Sequence, residues 1–271
     1  MKQLPAEIEE YRDQLWRRED ALRVESAAQV EAMVEDLGFS LALTDARTNL
    51  PSVYIAVCGR RDAFMPPNVQ KDLEASQAWV LKDEVMMRGK VYYGKLCKGR
   101  AMFVAPRLLP VFNAIWGLPK REEKDKLTAD AQKVLKVLRA EWEMGTADLR
   151  AETKIADRAA LTKALDELQK CLKVIPQQVL YQPKFTYIWT LSEARFPAEL
   201  SQNLSRPDAV KELARAFLDI CGITLLGDFA RAFGFTRKEA GAANHKLVDE
   251  SLAERLATGV YRTKAREFTL T

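Results

Sequence analysis

The sequence predicts a mainly α protein with small β wings (α+β), organised as three tandem winged-helix modules preceded by an N-terminal helix. Three observations predict it. Residues 128–196 and 206–271 follow one plan, in which three short helices lead into a paired-strand wing. A further hairpin signal lies upstream, where 90–96 and 100–104 flank a Cys97-Lys98-Gly99 turn. A repeat of this length is the mark of tandem modules.

The elements follow in order. Ile8, Tyr11, Leu15 and Leu22 mark an N-terminal helix within 1–25, with Glu9, Glu10, Arg17, Arg18, Glu19 and Asp20 on its exposed side. It reads as a bracing helix, with dimerisation as the alternative. The first module (26–118) opens on a capping box of Ser26 and Gln29, followed by Val30, Met33, Val34 and Leu37 and closed by Gly38. A second helix is expected over 51–60, with Pro51 in its first turn. Pro66-Pro67 then leads into a long helix through Val69, Leu73, Ala78, Leu81 and Val85. In the hairpin, Tyr92 and Tyr93 point to opposite faces; one can stack on an unpaired base, although core or rim packing is the plainer reading.

The second module (119–197) begins with a helix over 127–142, whose Leu127, Ala131, Val134, Leu135, Leu138 and Trp142 fall on one stripe. Gly145 stops it, 146–150 starts a shorter helix, and Asp157 caps a third that aligns Leu161, Leu165, Leu168 and Leu172. The wing strands are 173–175 with 179–181 and 185–191, with Pro176 and Pro183 at the breaks. In the third module (198–271), Pro207 opens a helix through Val210, Leu213, Ala214, Phe217 and Leu218. A second helix surrounds Leu226, Phe229 and Phe233, and a capping box of Thr236 and Glu239 starts a third through Ala240, Ala243 and Leu247. The final wing pairs 260–263 with 268–270.

Composition fits globular modules. No apolar run reaches the length of a membrane span and no signal peptide precedes Met1-Lys2-Gln3-Leu4-Pro5, so no membrane partner and a cytoplasmic location are expected. Four dispersed cysteines and a single histidine argue against structural zinc, and no cofactor or metal is expected. Cys58 ends an apolar run and reads as a buried residue, despite Arg60 and Arg61 nearby. His245, without a partner for acid–base work, reads as a DNA contact or a plain exposed histidine. The net charge of +4 matters less than its placement: 85–121 contains no Asp or Glu but holds Arg88, Lys90, Lys95, Lys98, Arg100, Arg107, Lys120 and Arg121. A solvated surface is the bland reading; coincidence with the hairpin favours contact with a phosphate backbone.

The run 217–234, a helix ending in Gly222, then Thr224 and an Asp228-led helix closing on Gly234, resembles the hallmark segment of the AlkZ/YcaQ proteins. Segments 79–83 and 103–106 fit the same family's first module, and the order of elements agrees over nearly the whole chain. The resemblance implies tandem winged helices that bind duplex DNA, damaged duplexes included, and act in DNA repair as glycosylases on alkylated or crosslinked bases. It also implies a Gln-x-Gln or Gln-x-Asp motif that activates the attacking water. The register places that motif on Asn49-Leu50-Pro51, and no such motif exists between Gly38 and Arg61. Pro51 offers no side-chain donor or acceptor. Asn49 or Asp62 remain as catalytic candidates if the chain is active; Asp45 is nearby but lacks the spacing.

Helix geometry selects DNA-contact candidates away from the apolar stripes: Arg158, Thr162 and Lys163 in the second module, and Arg237, Lys238 and Lys246 in the third. Arg262, Lys264 and Arg266 on the last wing join Arg60, Arg61, Lys90, Lys95, Lys98 and Arg100 of the first module. These suit phosphate contacts more than base readout. Three readings stand: a DNA-binding relative that has lost the motif, a glycosylase using an atypical residue, and a winged-helix scaffold for protein partners.

Overall fold

The computed structural model describes residues 4–264. It is mainly helical, with small antiparallel sheets, and parts into two compact units: 1–82 with 205–271, and 83–204.

The first unit begins with α1 (Ala6–Trp16), α2 (Ala27–Leu37), strand β1 (Phe39–Leu41) and α3 (Val53–Cys58), before α4 (Leu73–Arg88). The Ser26–Gln29 capping box is formed in full, and Gly38 ends α2. Ser52, not Pro51, caps the next helix, accepting from Ile55 N–H, so Pro51 precedes the helix instead of entering its first turn. Val69 lies in a separate 3-10 turn ahead of α4. The buried face of α1 is Ile8, Arg12, Asp13 and Trp16, not an apolar stripe through Leu15.

In the second unit, β2 (Tyr92–Leu96) and β3 (Arg100–Val104) form the expected hairpin, Tyr92 facing Val104 and Leu96 facing Arg100. Tyr92 is buried against Phe196, and Tyr93 is half-buried against Phe103. α5 (Leu109–Trp116) and α6 (Glu123–Lys126) lead into α7 (Ala129–Glu141), strand β4 (Glu143–Gly145), α8 (Thr146–Thr153) and α9 (Arg158–Lys170). Thr128 and Asp157 cap α7 and α9. Leu127, Ala131, Val134, Leu135, Leu138, Leu161, Leu165 and Leu168 form one core with Val174 and Trp189. Trp142 is the exception to its stripe: it takes positive φ just past α7 and is 66% exposed. β5 (Val174–Leu180) and β6 (Thr186–Leu191) make the wing, and β4 joins the free edge of β6. Pro176 lies inside β5 beside a register shift, not at a break between strands. α10 (Ser192–Arg195) and α11 (Pro197–Leu200) close the unit.

The rest of the first unit repeats the plan: α12 (Arg206–Cys221), β7 (Ile223–Thr224), α13 (Asp228–Phe233), α14 (Arg237–Asp249), β8 (Ala253–Ala257) and β9 (Val260–Thr263). Its sheet order, β7-β9-β8, matches β4-β6-β5 element for element. β9 thus pairs with β7 on one edge and with β8 on the other, and the segment expected to pair with it, 268–270, lies outside the described residues. Leu226 precedes α13 and is exposed. Thr236 caps α14, but the Glu239 carboxylate pairs with Arg206 at 3.0 Å instead of closing a box.

α1 is tied into this unit by polar bonds from buried side chains. Arg12 donates to the Cys221 carbonyl at 2.9 Å and the Ile223 carbonyl at 3.3 Å, and Trp16 Nε1 donates to Ile220 at 2.7 Å.

Candidate nucleic-acid interface

The cations nominated from sequence divide by what holds them. Arg60 reaches Glu74 through both terminal nitrogens at 2.6 Å. Arg61 chelates Asp13, its Nε 2.9 Å from each carboxylate oxygen. Lys95 lies 2.7 Å from Asp166 on α9, and its backbone N–H donates to Gln169 Oε1 at 3.1 Å, which docks the hairpin on that helix. Arg262 sits 3.7 Å from Glu7. A phosphate would have to compete with a carboxylate for each of these four.

A second group is exposed and has no ion-pair partner among the described residues. Arg158 and Lys163 project from α9, Arg237, Lys238 and Lys246 from α14, and Lys264 follows β9. Thr162 is exposed too, but its hydroxyl donates to the Arg158 carbonyl at 3.0 Å. Outside this group, and engaged in contacts of their own, Lys90 is exposed and Lys98 sits exposed at the hairpin tip with φ 65°, beside a half-buried Arg100. Arg266 lies outside the described residues. The structure thus places cations without an ion-pair partner among the described residues on the third helix of each repeated plan, away from the core stripe.

α14 also borders a small cleft of about 70 Å³, lined by Thr224, Gly227, Arg237, Gly241, Asn244 and Tyr261 among others. His245 is exposed beside it, its Nε2 3.5 Å from the Tyr261 hydroxyl.

The catalytic candidates do not converge. Asn49 is exposed on a loop, and its Oδ1 accepts from Arg12 at 2.9 Å. Asp62 is exposed. Asp45 is buried under Arg47, whose hydrogen bond holds the carboxylate below its ordinary pKa. Cys58 is buried, and burial with the nearby Glu74 pushes its thiol up to about 12. It should therefore resist alkylation by a thiol reagent near pH 8 in the folded protein and react on denaturation; fast native reaction would contradict this environment. Among the described residues no cluster of His, Cys, Asp and Glu could hold a metal ion, and no helix is long and apolar enough to cross a membrane.

Sequence reasoning missed an aromatic row on the second unit's wing. Phe185 stands 5.7 Å from Tyr181 and 5.2 Å from Tyr187, and Tyr187 stands 5.8 Å from Trp189, each centroid to centroid. The Tyr181 hydroxyl donates to buried Asp83 at 2.6 Å while much of its ring stays exposed. The signal was present in the aromatic density of 181–189, but strand alternation alone does not reveal which rings remain outside.

No curated protein matches the chain in sequence. Among solved structures, the Streptomyces sahachiroi DNA glycosylase AlkZ matches with a TM-score of 0.57 at 13% identity, over 97% of this chain and 71% of that one. At that identity the match shows a shared fold. The profile of the AlkZ-related family matches residues 24–232. Spanning most of the chain and carrying the segment 217–232, that match settles the relationship: the chain belongs to the AlkZ-related family.

Proposed function

We propose that this chain is a duplex-DNA-binding protein of repair, a relative of the alkyl-base glycosylases that keeps their fold without the Gln-x-Gln or Gln-x-Asp water-activating motif. In this reading residues 26–118, 119–197 and 198–271 act as three winged-helix modules, and 1–25 braces them. The observation that carries the reading is a set of exposed cations without an ion-pair partner among the described residues on the third helix of each repeated plan, Arg158 and Lys163 on α9 and Arg237, Lys238 and Lys246 on α14. Charge summed over each such helix face suits a polyanion, and it asks for no individual geometry. Base hydrolysis needs a side chain that fixes and activates water. Asn49 can hold a water, but an amide is no base, and its oxygen is already engaged by Arg12.

The test is one incubation with two readouts: duplex DNA carrying alkylated bases, titrated with salt for binding and assayed for abasic sites. The expected result is binding that weakens steeply with salt, with no base release above background. Base release would overturn the loss of chemistry and direct attention to Asn49 or Asp62. Absence of binding at low salt would overturn the DNA reading and leave a protein partner as the alternative.

A further inference from the structure

A partly buried arginine of the second unit has no counter-ion among the described residues. Arg195 ends α10 with its guanidinium partly buried, and one nitrogen donates to the Met87 carbonyl at 2.8 Å. No carboxylate lies within ion-pair range of it among the described residues. Burial lowers its pKa, and no acid pulls it back. Glu193, two residues earlier, lies about 200° round the helical turn. Gly89 allows the guanidinium its seat: its φ is +63°, and a Cβ there would fall 1.9 Å from Arg195 Nη2. Five donors in a planar fork are thus served by a single carbonyl. A charge drawn partly out of water in this way costs free energy that a paired anion normally offsets.

The surroundings suit an anion. Met87, Gln177, Gln178 and Arg195 line an open cleft of about 310 Å³. Successive strand residues ordinarily face opposite sides of a sheet. Here the register shift between Pro176 and Gln178 makes Gln177 an extra residue, and both glutamines line the same cleft. Gln177 donates to Glu143, whereas the Gln178 amide has no protein partner among the described residues.

We infer that this cleft is a seat for one backbone phosphate of DNA, with Arg195 gripping two phosphate oxygens and Gln178 donating to the same group. The inference rests on the DNA reading above and adds to it a residue outside the third helices. A guanidinium fork matches phosphate in a bidentate way that an ammonium does not. The amide adds a donor without competing charge, and no acid lines the cleft.

The test compares salt titrations of duplex binding for the unsubstituted protein, R195Q and R195K, with thermal melts of all three. R195Q should flatten the slope of log K against log salt by about 0.9, one phosphate's worth. It should also weaken binding about tenfold or more at fixed salt. Its melting midpoint should hold or rise, because the desolvated charge is gone; R195K should keep the slope while binding more weakly. If R195Q leaves slope and affinity unchanged, or only lowers the midpoint, Arg195 is a structural tie to Met87 and this inference alone falls. If the unsubstituted protein shows no salt-dependent binding, the DNA reading fails and takes the inference with it.

Discussion

Replacing Trp16 by alanine should lower the unfolding free energy by about 4 kcal/mol, in the range for emptying an aromatic site in a packed interior. Trp16 is 2% exposed, and its Nε1 donates to the Ile220 carbonyl at 2.7 Å. Its ring also lies 5.0 Å from the Arg12 guanidinium and 4.9 Å from that of Arg18. Both cations sit in poor solvent: Arg12 is 2% exposed, and burial lowers the Arg18 pKa although Asp13 and Glu9 oppose the shift. Loss of the indole therefore opens a cavity, frees a carbonyl and removes the π face beside two desolvated charges. Trp16→Phe should cost less, about 1–2 kcal/mol, since a ring remains while the hydrogen bond goes. Urea unfolding followed by circular dichroism reads both. A Trp16→Ala deficit below about 1 kcal/mol would mean that α1 is not what holds the α12–β7 end of its unit.

The place of Trp16 is not legible in the local sequence. Periodicity arguments treat charged residues as outward, so a face made of Ile8, Arg12 and Trp16 reads as broken, although these positions are spaced four apart. What buries Arg12 is a set of backbone carbonyls more than two hundred positions away, and nothing local announces them. Helices whose signals are local were legible: the Ser26 box, the Asp157 cap, and the apolar stripes of α7 up to Leu138, of α9 and of α12 agree with the structure. Strand β8 was not legible, because Ala-Glu-Arg-Leu-Ala has no β-branched residue and its pairing is set by β9. The candidate site shows the same divide. Exposure of Lys163 and Lys238 follows from helix geometry, but the carboxylates that engage Arg61 and Lys95 lie 48 and 71 positions away. Arg195 had no sequence signal, since its meaning depends on a bulge in β5 and on a glycine in another segment.

A second large effect is expected at Glu123, where the second unit gathers two cations on one carboxylate. Arg139 donates through both terminal nitrogens at 2.7 and 2.8 Å, and Lys173 Nζ lies 2.7 Å away. The three side chains are 10%, 30% and 14% exposed, so the group joins α6, α7 and the approach to β5 largely out of water. Burial alone would raise the Glu123 pKa; the hydrogen bonds from Arg139 and Lys173 outweigh it and hold the carboxyl below its ordinary value. Glu123→Gln would leave two like charges facing one neutral amide. Breaking a fully buried pair costs about 3–5 kcal/mol, and the partial exposure of Arg139 brings the expected loss below that range, to about 2–3 kcal/mol at neutral pH. Its sign with pH follows from the lowered native pKa. The stabilisation is complete above the unfolded-state pKa and disappears as the pH falls through the native one, where the original residue also becomes a neutral acid. The gap between the two proteins should therefore be widest at pH 7 and close progressively in acid, as read by urea unfolding at stepped pH. A deficit that stays constant with pH would assign the loss to packing and remove the carboxylate from the account.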